Sequence, residues 1–210
     1  MLFRSTRTDG YRQDLASQEV AALVDSHPGD LVLDLCAAPG GKSTHIAGRG
    51  ATVIGLDVHE HRAGLVAQAA ADTATTVFPV AGDSTRPPIR PGRADAVLID
   101  APCSGLGSLR RRPDARWRIK ESDVGALADV QFALVRSAAE LVKPGGQIVF
   151  SVCTLTDAES LGVDARIEAE LPDLVPQPLS APWEPHGRGG RLLPDRFAGD
   201  GMTAFSYRRT

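Results

Sequence analysis

The sequence predicts an α/β fold: a mostly parallel sheet with helices on both faces. Two observations carry that expectation. Short β-branched, apolar segments alternate with longer helix-like segments along the chain. The apolar segments are near-continuous rather than alternating, as in strands buried on both faces. A third observation locates the ligand. Asp34-Leu35-Cys36, Asp57, Asp83, Asp100 and Cys153 stand at successive strand ends, and parallel α/β sheets bind at the carboxyl ends of their strands. One such polar residue is often only a turn former, but five in succession ask for more.

The elements follow in order. LVLDL (31–35) is a buried strand, and residues 43–49 open a helix. TVIGLD (52–57) is the second strand, followed by an Ala-rich helix over 59–71. TVFPVAG (76–82) is the third, weakened by Pro79, and ADAVLID (94–100) the fourth. A long helix over 123–142 stops before Lys143-Pro144-Gly145-Gly146, and QIVFSV (147–152) is the fifth strand. Thr156 and Glu159 fit a capping box opening a further helix. Residues 171–200, rich in Pro and Gly, are expected to be looped, and TAFSYR (203–208) alternates as an edge strand does.

Composition narrows the function. The chain has 210 residues, 42% of them hydrophobic, and a formal charge of −3. That composition excludes a disordered chain. No apolar run approaches the roughly 20 residues of a membrane span, and the first residues lack a secretory signal's apolar core, so no membrane partner is expected. Cys36, Cys103 and Cys153 are odd in number and have no CxxC spacing. They argue against a disulfide framework or a metal site, and for free thiols in a reducing, cytoplasmic setting. The acidic total gives no global nucleic-acid signature. Locally the picture differs, because six of the 23 basic residues fall within positions 109–120. Among them Arg110, Arg111, Arg112 and Arg116 can take phosphates, and Trp117 can stack on a base or buttress the loop. The plainer reading is a solvated face.

Three groups of residues carry candidate chemistry. In the loop Cys36-Ala37-Ala38-Pro39-Gly40-Gly41-Lys42, the two glycines would let backbone approach a ligand, beside unpaired helix N–H groups. Gly41-Lys42-Ser43 also fits the end of a phosphate-binding loop, but Cys36 replaces that motif's first glycine. Asp57 lies 23 residues past Asp34, placed to bind a ribose diol. Asp83 could reach an exocyclic amine or simply shape the turn Gly-Asp-Ser. Finally, Cys103 and Cys153 follow neighbouring strands, with Asp100 beside the first. Each alone reads as a small buried hydrophobe. Together they point to covalent chemistry, and a capped helix after Cys153 would favour its thiolate.

The motifs Gln13–Gln18 (QDLASQ), Leu33–Lys42 (LDLCAAPGGK), Asp100–Gly105 (DAPCSG) with Arg111-Arg112-Pro113 and Trp117, Lys143–Gly146 (KPGG), Ser151–Leu155 (SVCTL) and Arg191–Pro194 (RLLP) occur in a familiar order. With them the chain resembles, over nearly its whole length, the catalytic domain of the RsmB-like (Sun/Nop) family of RNA cytosine-C5 methyltransferases. The resemblance implies a Rossmann-like class I S-adenosylmethionine-dependent methyltransferase fold, with an antiparallel edge strand beside the parallel ones. It implies S-adenosylmethionine held by Cys36, Ala37, Ala38, Pro39, Gly40, Gly41, Lys42, Asp57, Asp83 and Asp100. Cys153 would attack C6 of cytosine, Cys103 would aid product release, and Asp100 would stabilise the adduct. RNA would meet Arg110, Arg111, Arg112, Arg116 and Trp117, with ribosomal RNA expected ahead of transfer RNA. Residues 1–210 would form one catalytic domain, with 1–28 a short extension and no separate RNA-binding domain, which leaves a role for an RNA-binding partner in trans. Val152 and Ala158-Glu159-Ser160 depart from the family's usual Thr and Glu-Glu-Asn. A weakly catalytic S-adenosylmethionine-binding module and a phosphate-loop hydrolase are the alternative readings.

Overall fold

The apolar segments assemble as strands of one sheet, and the order of those strands explains why their ends converge. The computed structural model describes residues 4–210. A hairpin of β1 (Arg4–Thr6) and β2 (Arg12–Asp14) leads into α1 (Leu15–Ala22). Then come β3 (Leu31–Asp34), α2 (Gly41–Ala47), β4 (Thr52–Asp57), α3 (Glu60–Thr73), β5 (Val77–Ala81) and β6 (Ala94–Asp100). After a 3-10 turn at Leu106–Ser108 follow α4 (Ala115–Arg118), α5 (Glu121–Leu141), β7 (Val142–Val152) and α6 (Leu161–Glu170). The chain closes with β8 (Leu174–Gln177), β9 (Glu184–His186), β10 (Gly189–Leu192) and β11 (Met202–Arg209).

The sheet runs in the order β5-β4-β3-β6-β7-β11-β10-β9, with β8 also paired to β11. The five strands from β5 to β7 are parallel, and β11 is antiparallel to β7. The chain moves outward from β3 to β5, then returns to lay β6 on the other side of β3. That reversal opens a crevice at the carboxyl ends of β3 and β6.

Consecutive residues of a strand face opposite sides of a sheet, and the core divides accordingly. Leu33, Val97, Ile99, Ile148 and Phe150 pack with Phe132, Val135 and Val163 of α5 and α6. Val32, Val53, Leu98 and Val149 pack on the other face with Val20, Ile46 and Val66 of α1, α2 and α3.

Three expectations change. Strand β7 does not begin after Lys143-Pro144-Gly145-Gly146 but runs through it. Ala94 pairs with Val142 while Ala96 pairs with Gln147, so the four residues bulge out, the setting in which a sheet tolerates a proline. Residues 171–200 are not simply looped. The antiparallel β11 borders the parallel strands, and β10 and β8 pair along its outer side at Gly190–Leu192 and Leu174–Gln177, satisfying backbone groups that a sheet edge would leave open. Thr156 and Glu159 do not cap a helix, because α6 starts only at Leu161 and Glu159 is buried elsewhere. Ahead of β3, the Arg7 guanidinium reaches across to the Gly41 carbonyl at 2.6 Å.

Candidate active site

Strands β6 and β7 are hydrogen-bonded neighbours, and each is followed at once by a loop carrying a cysteine. Asp100 pairs in register with Ser151, so Cys103 and Cys153, each a few residues on, arrive at the same level. Their sulfur atoms lie 3.2 Å apart. The hydrogen bond from Cys103 holds the Cys153 thiol below its ordinary pKa, and the Lys42 charge helps. Burial and Asp100 pull the other way. Cys103 is pushed well up by the same contact and by burial. The contact thus favours charge on Cys153 over Cys103. The expected helix dipole plays no part, because α6 begins eight residues beyond Cys153.

Asp100, at the end of β6, accepts from Lys42 Nζ at 2.6 Å and from Ser151 Oγ at 3.0 Å. Burial alone would lower the Lys42 pKa, but the Asp100 carboxylate outweighs it and the net shift is upward. Lys42, expected among the cofactor residues, thus stands against Asp100 and 3.3 Å from Ser17 Oγ. Asp34 is 1% exposed, accepts from Ser43 Oγ at 2.7 Å, and burial pushes its carboxyl up to about 6. Burial and the nearby Asp34, Asp100 and Asp57 carboxylates push the Cys36 thiol far up, which disfavours its thiolate.

Within the loop itself, Ala37, Gly40 and Gly41 are buried while Cys36, Ala38, Pro39 and Lys42 retain surface. Packing within the protein itself favours small residues here. Gly40 has φ +107°, and a Cβ there would lie 2.8 Å from Ala69 Cβ; at Gly41 it would lie 3.1 Å from Tyr11. Both make room for the protein's own helices and hairpin. Asp57 is buried at the end of β4, accepts from His59 N at 3.0 Å and pairs with Arg62 at 3.2 Å. Asp83 is exposed, and both the backbone and the hydroxyl of Thr85 donate to it at 2.8 Å. Those bonds hold its carboxyl below the usual range, and the geometry is that of a turn acid.

The basic segment splits. Arg112, Arg116 and Trp117 are exposed, Trp117 to 83%. Arg110 is also exposed and donates to the Pro194 carbonyl at 3.0 Å. Arg111 departs from the RNA-binding expectation. Its Nε donates to both oxygens of buried Asp200, at 2.9 and 2.8 Å, and a guanidinium so engaged is not offered to a phosphate.

Sequence reasoning missed Asp200, Ser151, Gln131 and the position of Glu159. Gln131 offered the one local signal, a polar residue on the apolar stripe of α5 beside Phe132, Leu134 and Val135.

Comparison with known proteins gives a consistent answer. The 16S rRNA methyltransferase RsmB/F family matches residues 21–204. The ribosomal RNA small subunit methyltransferase B of Thermus thermophilus is 37% identical over 94% of this chain and 49% of its own length. That of Vibrio cholerae is 34% identical over 90% of the chain and 44% of its own. The chain spans about half the length of the curated relatives it matches. Among solved structures, NSun6 from Pyrococcus horikoshii, determined with SFG, superposes with a TM-score of 0.84 at 26% identity, covering 95% of this chain and 53% of that one. The expected class I methyltransferase fold is the fold observed.

Proposed function

The chain belongs to the RsmB/F family of 16S rRNA methyltransferases, and from that premise we propose that it methylates C5 of a cytosine in RNA through a covalent bond between Cys153 and C6. Ribosomal RNA is the first candidate substrate and transfer RNA the second. S-adenosylmethionine, when bound, supplies the electrophilic methyl group. The residues present suit it: Asp57 and Asp100 end the two strands that flank β3, acceptors placed for a ribose diol and an ammonium group.

The rest is work for the chain's own side chains. C5 of cytosine is a poor nucleophile. Addition of the Cys153 thiolate to C6 forms the S–C6 bond and pushes electron density onto C5, which can then take a methyl group. Asp100 is assigned to the N3 side of the adduct, where a proton must be held between the carboxyl group and N3 as negative charge develops on the ring, and the Lys42 ammonium 2.6 Å away offsets that charge. The C5 proton leaves to a base and the S–C6 bond breaks, returning the electron pair to Cys153. Cys103 is assigned as the base or relay for that step, taking the C5 proton on its sulfur as its own S–H proton passes to the departing Cys153 sulfur. The base to be modified must first be splayed out of its stack.

The observation that carries this reading is the 3.2 Å contact between the two sulfur atoms at adjacent strand ends. The test is a denaturing gel of RNA mixed with S-adenosylmethionine and the Cys103→Ala chain. An RNA–protein adduct should accumulate, and it should vanish when Cys153→Ala is added. Bisulfite sequencing of the same RNA should show new 5-methylcytosine with the unaltered chain. Full turnover by Cys153→Ala would overturn the assignment.

A further inference from the structure

Glu159 is fully buried, yet among the described residues none of the polar contacts of its carboxylate is to a cation. Its Oε1 accepts from Ser104 N at 2.8 Å and Gln131 Nε2 at 3.1 Å. Its Oε2 accepts from Ser104 Oγ at 2.5 Å and Thr156 Oγ1 at 2.9 Å. An ionised carboxylate has about four lone-pair sites and no proton to give, and here four donors fill them. Burying a charge is costly unless it is satisfied in this way. Such an arrangement persists where the surrounding groups must be held.

The groups held are the residues on either side of the two cysteines. Ser104 follows Cys103, and Gln131 also donates to the carbonyl of Pro102, which precedes it, at 2.9 Å. Across the crevice, Ser104 Oγ lies 2.8 Å from the hydroxyl of Thr154, which follows Cys153. Thr156 anchors the same loop two residues further on. The ring of contacts therefore crosses from the β6 loop to the β7 loop and back through α5. We propose that Glu159 is the positioning residue that keeps Cys103 and Cys153 in sulfur–sulfur contact, by tying Ser104 to Thr156 across the two loops. Its relevance to methyl transfer rests on the thiol roles proposed above; its effect on the thiols does not.

Two substitutions separate reach from charge. Glu159→Asp keeps the charge but shortens the side chain by one methylene, too little to span Ser104 and Thr156 together. Glu159→Gln keeps the reach. Its oxygen can face Ser104 N and Gln131, while its amide group donates to the two hydroxyls, which can rotate to accept.

The measurement is the equilibrium between the reduced chain and the Cys103–Cys153 disulfide in glutathione redox mixtures, read by mass spectrometry of the linked peptides. It gives the effective concentration of one thiol toward the other and uses no RNA. We expect that concentration to fall about ten-fold or more in Glu159→Asp, the factor equivalent to ~1.4 kcal/mol, and to stay within about three-fold in Glu159→Gln. The pH profile of Cys153 alkylation should move upward in Glu159→Asp, as the Cys103 hydrogen bond is lost, and stay in place in Glu159→Gln. Wild-type values in Glu159→Asp would overturn the proposal. So would impairment of Glu159→Gln alone, which would make the charge and not the reach decisive. If Glu159→Asp does not fold in thermal unfolding, Ser104→Ala combined with Thr156→Val carries the same expectation and the same refutation. A trapped-adduct experiment that fails while the thiol equilibrium behaves as expected would reject the reaction and leave the positioning role standing.

Discussion

The cleft of Cys103 and Cys153 and the basic segment that follows it in the chain are held by different means. In the cleft, Lys42, Asp100, Ser104 and Glu159 each have partners brought from elements far apart in sequence. In the basic segment, Arg112, Arg116 and Trp117 lie on the surface of a short helix and its approach. The comparison is sharpest within the segment itself, where Arg111 belongs to the buried network and its neighbour Arg112 to the surface. Residue type and position in a charge run are the same for both. Only the partner differs.

The strongest way to break that comparison is to truncate the two neighbours. Asp200 and Asp14 are both buried, and Asp14 Oδ1 accepts from the backbone N–H of Asp200 at 3.3 Å. Arg111 is the cation beside them, and the pair of acids raises its pKa. Arg111→Ala should therefore cost about 3 kcal/mol in urea unfolding, the penalty of leaving a buried charge unpaired, whereas Arg112→Ala should stay within about 0.5 kcal/mol. Equal effects would erase the distinction.

A smaller effect tests the cleft from its acidic side. The Asp34 carboxyl is raised to about 6 by burial, so the folded chain holds this proton more tightly than the unfolded one does. Its contribution to stability is then complete below about pH 4 and is lost as the pH rises through about 6, a change of roughly 1–3 kcal/mol. Asp34→Asn should flatten the dependence of the urea midpoint on pH across that window. An unchanged slope would mean that Asp34 is not a buried acid of this kind.

The smallest expected effect belongs to the surface. Replacing Arg112 and Arg116 together by Gln should weaken RNA binding about three- to ten-fold and reduce the salt slope by about two phosphate contacts. Affinity for S-adenosylmethionine, measured by calorimetry, should not move. Loss of both affinities would make the segment structural throughout, as Arg111 already is.

Much of the fold was legible because it is written in local patterns. The bounds of β4 and β6 agree with TVIGLD and ADAVLID to the residue, since each strand announces itself by an apolar run and ends at an acid. The bulge at Lys143–Gly146 was not legible, because Pro and Gly read locally as a stop and only the register with β6 shows the strand continuing. Glu159 was misread for a related reason. A Thr and a Glu three residues apart fit a helix cap in any sequence, and nothing local says that Ser104 and Gln131 will claim the carboxylate first.

The alternation of strands and helices, the acids at the strand ends and the two cysteines after successive apolar segments are all written in local residue patterns. That the two sulfur atoms touch, that Lys42 pairs with Asp100 and that Arg111 is bound to Asp200 emerge with the assembled sheet. The physical reason is separation. Helix and strand preferences act between residues a few positions apart, whereas the contacts that define this site join residues 50, 58 and 89 positions apart and exist only once the sheet has placed β6 between β3 and β7.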